Sequence, residues 1–89
     1  MTGTISAERE VEITAPLGLH ARPAAEFAGT AARFHSALTV TKNGCEVDAT
    51  SVLLLLTLDA RCGDRLLIRG TGDDAPRAVD RLATLLTGP

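Results

Sequence analysis

Polar and apolar residues alternate near both ends of the chain, and this period of two predicts β-strands. Between positions 8 and 14, Val11 and Ile13 share one side and the glutamates share the other. This segment is therefore predicted to be a strand with one solvated face. A second such segment, 66–70, follows a turn-forming Cys-Gly-Asp sequence, and Leu66 and Ile68 are predicted to point inward.

A β-hairpin is predicted in the middle of the chain. Two alternating segments, 38–42 and 45–49, flank Asn43 and Gly44, the residue pair best suited to a two-residue type I′ turn. Because side chains alternate between the faces of a strand, one face of the hairpin should be buried. The residues predicted on that face are Leu38, Val40, Val47 and Ala49.

Apolar residues recur at helical spacing in two longer segments. The first, 21–34, is rich in alanine and has Pro23 in its first turn. Proline is tolerated there because N–H groups in the first turn have no partner within the helix. Its predicted buried stripe is Ala24, Phe27, Ala28, Ala31 and Phe34. The second begins near Pro76, with Asp73 or Asp74 as the predicted cap. Its stripe is Ala78, Val79, Leu82, Leu85 and Leu86.

The apolar segment 51–58 fits either a buried strand or a buried helix by periodicity alone. Leucine dominates it rather than β-branched residues, and Ser51 is a favourable N-cap, so a short helix is predicted. The resulting order is β-α-β-β-α-β-α. It favours an α+β fold in which helices cover the apolar face of a single antiparallel sheet.

Composition narrows the classes of function. With 89 residues the chain is expected to form one domain, 1–89. Its only aromatic residues are Phe27 and Phe34 and its net charge is −2, which argues against nucleic-acid binding. The longest apolar run is far shorter than the ~20 residues that span a bilayer. No signal or lipidation pattern is visible, so we expect a cytoplasmic protein with no membrane association.

The two cysteines, Cys45 and Cys62, do not match any zinc-binding spacing. A reducing cytosol keeps such residues as thiols. We therefore expect two buried or half-buried thiols rather than a disulfide, and no metal or other cofactor.

Chemistry is concentrated in the sequence Gly-Leu-His-Ala-Arg-Pro, residues 18–23. His20 precedes the first predicted helix, whose first N–H groups lack internal partners and attract anions. The same partial positive charge disfavours an imidazolium, and only the neutral ring can attack phosphorus. A phosphoryl group on His20 could accept bonds from the N–H groups of Ala21 and Arg22 and from the Arg22 guanidinium.

This motif, together with the Ile-Thr-Ala-Pro sequence at 13–16, the Asn-Gly hairpin and Ser51 before an apolar helix, resembles the HPr phosphocarrier family of the bacterial phosphoenolpyruvate-dependent phosphotransferase system. The resemblance implies an open-faced sandwich, with three helices on one side of a four-stranded antiparallel sheet. It also implies that His20 accepts phosphate from enzyme I on Nδ1 and donates it to an enzyme IIA, with Arg22 as the stabilising arginine.

Further expectations concern partners. Many relatives are phosphorylated by a dedicated kinase at the serine that Ser51 matches, and phosphate there would place about −1.5 to −2 charge beside the docking face. That face is expected to include Ala21, Val52, Leu53 and Leu56, because a short helix cannot bury every side. The leucine-rich helix also resembles carriers of the nitrogen-related branch. We expect a monomer that needs partner enzymes.

Two other classes of function remain as alternatives. One is a regulatory binding module of the same fold that acts through Ser51 and the second helix without phosphoryl transfer. The other is a hydrolase or metal-binding domain, which the spacing of His20 and His35 does not favour. His35 is expected to have a structural role near the end of the first helix. Five further arginines are expected to be solvated surface: Arg61, Arg65, Arg69, Arg77 and Arg81.

Overall fold

Residues 5–87, the part of the chain that the computed structural model describes, form seven helices and strands in the predicted order. They are β1 (Ser6–Glu12), α1 (Ala21–Ala31), β2 (Ala37–Lys42), β3 (Cys45–Asp48), α2 (Val52–Thr57), β4 (Arg65–Thr71) and α3 (Ala75–Thr87). The ambiguous segment after Ser51 is thus a helix, as predicted.

The four strands form one antiparallel sheet in the order β1-β4-β2-β3. Val40 in β2 pairs with Val47 in β3 on one side and with Ile68 in β4 on the other. These residues are buried, as are Val11 and Leu66, which pair across β1 and β4. These residues share one face of the sheet. The core lies between that face and the helices, and most of its helical residues come from α1 and α3. This arrangement confirms the predicted α+β open-faced sandwich.

Several element boundaries differ from the prediction by one to three residues, and two of these differences follow from specific backbone hydrogen bonds. Helix α1 ends at Ala31 rather than at residue 34, because the chain continues in tighter turns in which Phe34 N–H donates to the carbonyl of Ala31 at 3.2 Å. Phe34 is consequently only partly buried. Strand β1 ends before Ile13, which is buried and exchanges backbone bonds with Gly63 and Asp64.

The hairpin turn has the predicted conformation. Asn43 and Gly44 have φ of 50° and 83°, and a type I′ turn requires this left-handed region at both central residues. The four predicted inward residues of the hairpin, Leu38, Val40, Val47 and Ala49, are all buried.

Asp74 holds the predicted cap position of α3, but its side chain bonds to the loop after α1 and not to the helix. Asp74 precedes the helix and its carbonyl accepts a bond from Ala78 N–H at 2.9 Å. Its carboxylate instead accepts bonds from the N–H groups of His35 (2.9 Å) and Ser36 (3.0 Å) and from the Ser36 hydroxyl. The carboxylate thereby joins the α1–β2 loop to the start of α3.

The prediction of buried or half-buried thiols is wrong. Cys45 and Cys62 are both exposed, and neither forms a disulfide. Cys45 lies in β3, at the edge of the sheet beside the hairpin turn, where its side chain points to solvent. Within residues 5–87, no helix combines the length and apolar character needed to cross a bilayer.

The carboxylate of Asp74 should make the fold sensitive to acid. The Ser36 hydroxyl, followed by the His35 N–H, lowers the pKa of Asp74 from its ordinary value of 3.8. A lowered folded-state pKa gives stability that is present above the unfolded value, about 3.9, and lost as pH falls through the folded value. We predict that Asp74→Asn flattens the fall in unfolding free energy below about pH 4, measured by urea denaturation.

The matched control is Asp73→Asn, which removes the neighbouring exposed carboxylate and should leave the acid dependence as in the parent. Equal acid dependence in the parent and in Asp74→Asn would show that the bonds to the loop do not stabilise the folded state.

Candidate functional site

His20 occupies the N-cap position of α1. Its backbone is extended (φ −93°, ψ −172°), its carbonyl accepts the first helical bond from Ala24 N–H at 2.9 Å, and its side chain makes no capping bond. The residue is exposed. The imidazole is therefore available to react at the mouth of the helix, where the sequence predicted it.

Two backbone donors remain open beside this ring. Ala21 and Arg22 are the first two helical residues, and N–H groups at these positions have no partner within a helix. Pro23 has no N–H, and the next donor, on Ala24, is already bonded to His20. The helix start thus presents the N–H groups of Ala21 and Arg22 to any anion bound at His20.

The loop before His20 is fixed by close backbone packing. Gly18 has φ of +69° and donates its N–H to the carbonyl of Ala15 at 2.9 Å. A Cβ at Gly18 would lie 2.5 Å from the carbonyl oxygen of Ala60 and 2.7 Å from the Cα of Arg61. Leu19, which is only 5% exposed, donates its N–H to the same Ala60 oxygen at 2.9 Å. Leu19 is thus held in the core, whereas the next residue, His20, is exposed.

The loop after α2, on which Gly18 and Leu19 pack, is held in place by a residue that the sequence analysis did not single out. Lys42, at the end of β2, donates from Nζ to the carbonyls of Leu58 (3.0 Å) and Asp59 (2.8 Å) and pairs with Asp64 at 3.0 Å. Only 17% of its side chain is exposed. These bonds fix the loop after α2, on which Gly18 and Leu19 pack.

Asp64 completes that support. Its carboxylate accepts a bond from Arg61 N–H at 2.8 Å, and this bond, together with the one from Lys42, lowers the pKa of Asp64. Asp59 is a second sign of a constrained loop, because it has φ of +48° without being glycine. A lysine at the end of a strand looks like ordinary surface in a sequence, so no local pattern pointed to it.

Around His20 the surface forms an open depression of about 450 Å³. Leu17, Leu56 and Cys62 line it beside the histidine. Arg61 also lines it and pairs with Asp59 at 3.0 Å, whereas the exposed Arg22 forms no ion pair within residues 5–87. Arg22 does not line the depression, but it lies two residues after His20 and has no ion pair in the described part of the chain.

An exposed group of leucines, which we call the leucine surface, lies next to this depression. In α2 only Leu55 is buried, while Leu53, Leu54 and Leu56 are 77%, 43% and 36% exposed. Leu17, in the loop before His20, is 76% exposed. The sequence predicted Leu53 and Leu56 here, together with exposed Ala21, and missed Leu17 and Leu54.

Two other predicted site residues have structural contacts. Val52 is partly buried and packs against the core, so it offers less surface than its neighbours in α2. Ser51 is the N-cap of α2, and its hydroxyl oxygen accepts a bond from Leu54 N–H at 3.2 Å. Among residues 5–87, no three His, Cys, Asp or Glu side chains lie close enough together to hold a metal ion.

Comparison with known proteins gives matches over nearly the whole chain. A family model described as the PTS HPr component phosphorylation site matches residues 7–88. The chain is 43% identical over 79 residues to phosphocarrier protein HPr of Vibrio cholerae, covering 89% of this chain and 93% of that protein. It is 38% identical over 79 residues to phosphocarrier protein NPr of Shewanella violacea, covering 89% and 87%. The crystal structure of HPr from Bacillus anthracis superposes with a TM-score of 0.89 at 33% identity, covering 92% and 98%.

The contact between Gly18 and the Ala60–Arg61 backbone generates a stability prediction. Gly18→Ala introduces both an unfavourable left-handed φ and a close approach, and we expect it to lower the unfolding free energy by about 2–4 kcal/mol. Gly29→Ala is the matched control, because a Cβ on this exposed residue of α1 meets nothing within 4 Å. It should raise stability by about 0.5–1 kcal/mol. Urea denaturation measures both; unchanged stability in Gly18→Ala would contradict the packing described.

Proposed function

The chain belongs to the HPr phosphocarrier family of the phosphotransferase system, and on that premise we propose that it carries a phosphoryl group on His20 from enzyme I to an enzyme IIA. The observation that supports this most directly is the exposed imidazole beside the open N–H groups of Ala21 and Arg22. The acceptor belongs to the sugar or the nitrogen-related branch, and the protein works in the cytoplasm.

The proposed transfer takes place at the ring nitrogen Nδ1 of neutral His20. Its lone pair forms a bond to phosphorus as the P–N bond of the phosphohistidine on enzyme I breaks, and the donor nitrogen takes back that electron pair. In the second transfer His20 is the donor: a ring nitrogen of the acceptor attacks phosphorus, and the P–N bond to His20 breaks. Each step exchanges one P–N bond for another, so no water and no metal-bound nucleophile take part.

Once phosphorylated, His20 carries oxygens that the site can stabilise moderately. The N–H groups of Ala21 and Arg22 donate to them, and the Arg22 guanidinium adds a charge-assisted bond. A helix N-terminus stabilises a nearby anion by about 0.3–2 kcal/mol. Stabilisation of this size favours loading without trapping the group, which a carrier requires because it must also release it.

Partner proteins are needed to complete the reaction. His20 and Arg22 lie on an open surface, with no enclosed pocket that could exclude water from a small substrate. We propose that the leucine surface, with Ala21 at its edge, packs against enzyme I and enzyme IIA in turn. Burial of these exposed side chains would supply apolar contact energy, while the depression admits the histidine of the partner.

A second proposed role is regulation at Ser51. Its hydroxyl lies at the N-terminus of α2, immediately before the leucine surface. A phosphate there is compatible with a helix N-terminus but adds charge to the docking face. A kinase and phosphatase acting on Ser51 would thereby change the affinity for partners without reaching His20. This regulation acts on a working carrier, and so differs from the alternative of a binding module that acts through Ser51 and α2 without phosphoryl transfer.

Phosphorus NMR with enzyme I and phosphoenolpyruvate tests the carrier role. We predict a phosphohistidine signal in the parent and none in His20→Ala. His35→Ala is the matched control, since it removes the other histidine, which lies beyond the far end of α1, and should retain the signal. Labelling of His20→Ala at the parental rate would contradict the proposal.

Arg22→Ala provides an additional arm of the same measurement. The signal should form more slowly, by roughly tenfold, as expected for loss of a charge-assisted bond. Thermal unfolding should be unchanged because the side chain is exposed. Unfolding of this variant would show that Arg22 has a structural role instead.

Charge at Ser51 should slow transfer without unfolding the protein. Ser51→Asp keeps a good N-cap and adds a negative charge, so we expect stability within about 1 kcal/mol of the parent and several-fold slower phosphorylation by enzyme I. Ser51→Asn is the control, because it caps without charge and should retain the parental rate. Equal slowing in both variants would mean that shape, and not charge, controls docking at this position.

A further inference from the structure

A groove between α1 and α3 collects arginines at a distance from His20. We call it the α1–α3 groove; its lining includes Thr30, Arg33, Phe34, Arg77, Arg81 and Thr84. Arg33 lies just beyond the C-terminus of α1, whereas His20 is at the other end of this 11-residue helix. At 1.5 Å per residue the helix separates the two places by about 16 Å. None of the residues around the His20 depression lines the groove.

The groove contains most of the arginines that have no ionic partner. The chain has nine Lys and Arg residues, and five of them form ion pairs: Arg9, Lys42, Arg61, Arg65 and Arg69. Four form none with residues 5–87: Arg22, Arg33, Arg77 and Arg81. One of these is beside His20, and the other three line the groove. Asp74 and Asp80 also line the groove, so three arginines and two carboxylates give its lining a formal charge of +1, in a chain of net charge −2.

Two different elements direct these arginines into one space. Arg77, Arg81 and Thr84 are spaced i, i+4 and i+7 in α3, which places them on one face of that helix. Arg33 approaches from the turn after α1, where its N–H is fixed to the carbonyl of Thr30 at 3.1 Å. Guanidinium groups in such an arrangement can donate several parallel bonds to one anion.

The carboxylates in the groove already have partners elsewhere. Asp80 pairs with Arg9 at 3.0 Å. Asp74 accepts the bonds from His35 and Ser36, which fasten the loop after α1 to the start of α3. The two elements that line the groove are therefore already joined to each other in the absence of a ligand. Phe34, partly buried against the core, provides an apolar part of its lining.

We propose that the α1–α3 groove binds a small anion with several phosphoryl oxygens, held by Arg33, Arg77 and Arg81. Three guanidiniums exceed what a single carboxylate can satisfy, and they match an anion that offers many acceptor oxygens. The groove measures about 790 Å³, within the roughly 300–1,000 Å³ usual for small-molecule sites. From the sequence, Arg77 and Arg81 were expected to be dispersed solvated surface; the fold brings them together with Arg33.

Inorganic pyrophosphate is the probe. Titrated into ¹⁵N-labelled protein at constant ionic strength maintained with sodium chloride, it should cause saturable amide shifts at Thr30, Arg33, Arg77 and Thr84. The double variant Arg77→Gln/Arg81→Gln should weaken binding at least tenfold. Arg65→Gln/Arg69→Gln, which removes two charges from the sheet, is the matched control and should bind within twofold of the parent.

Four results would overturn the proposal. Three of them are shifts that sodium chloride alone reproduces, equal weakening in the two double variants, and shifts centred on Ala21 and Arg22. Binding of an oligoglutamate peptide without any binding of pyrophosphate would also overturn it, in favour of an acidic protein partner. The test does not depend on the carrier role, because pyrophosphate binding is measured without enzyme I. If the carrier role holds, Arg77→Gln/Arg81→Gln should be phosphorylated by enzyme I at the parental rate.

Discussion

The arrangement of the site depends on one backbone contact, the docking of Gly18 and Leu19 on Ala60. Leu19 N–H donates to the Ala60 carbonyl, and only a residue without Cβ can bring the chain so close to that oxygen. Lys42 and Asp64 fix the loop after α2, which contains Ala60. Leu19 is thereby held in the core, and the exposed His20 follows it at the N-terminus of α1. The position of the exposed histidine thus depends on the packing of the two residues before it.

Within the described part of the chain, arginines on the sheet are paired with carboxylates, whereas the arginine that follows His20 is not. Arginines on the sheet are neutralised by neighbouring carboxylates, such as Arg65 by Glu10 and Arg69 by Glu8, in exposed pairs that contribute little to stability. Arg22 has no such partner among residues 5–87, and in the proposed function it donates to the phosphoryl group on His20. A guanidinium already bound to a carboxylate would have to exchange one anion for another, which would weaken its hold on phosphate.

Much of this could be predicted from the sequence because local signals and the fold agree. The Asn43-Gly44 turn, the stripe of α1 and the Ser51 cap each specify their own segment, and the motif around His20 indicated an exposed histidine at the start of α1. Long-range features escaped prediction. The carboxylate of Asp74 bonds to a loop almost forty residues away, Lys42 supports the site from β2, and the exposure of Cys62 depends on how its turn packs. Spacing along the chain carries no signal for contacts of this kind.

The most direct test of the account is the backbone amide spectrum of the protein before and after phosphorylation by enzyme I. If the oxygens on His20 accept bonds from the open helix N–H groups, the amide protons of Ala21 and Arg22 should shift strongly downfield, and more than any amide of α2 or α3. Phosphorylation of His20 with no such shift at Ala21 or Arg22 would contradict the claim that the mouth of α1 holds the phosphoryl group.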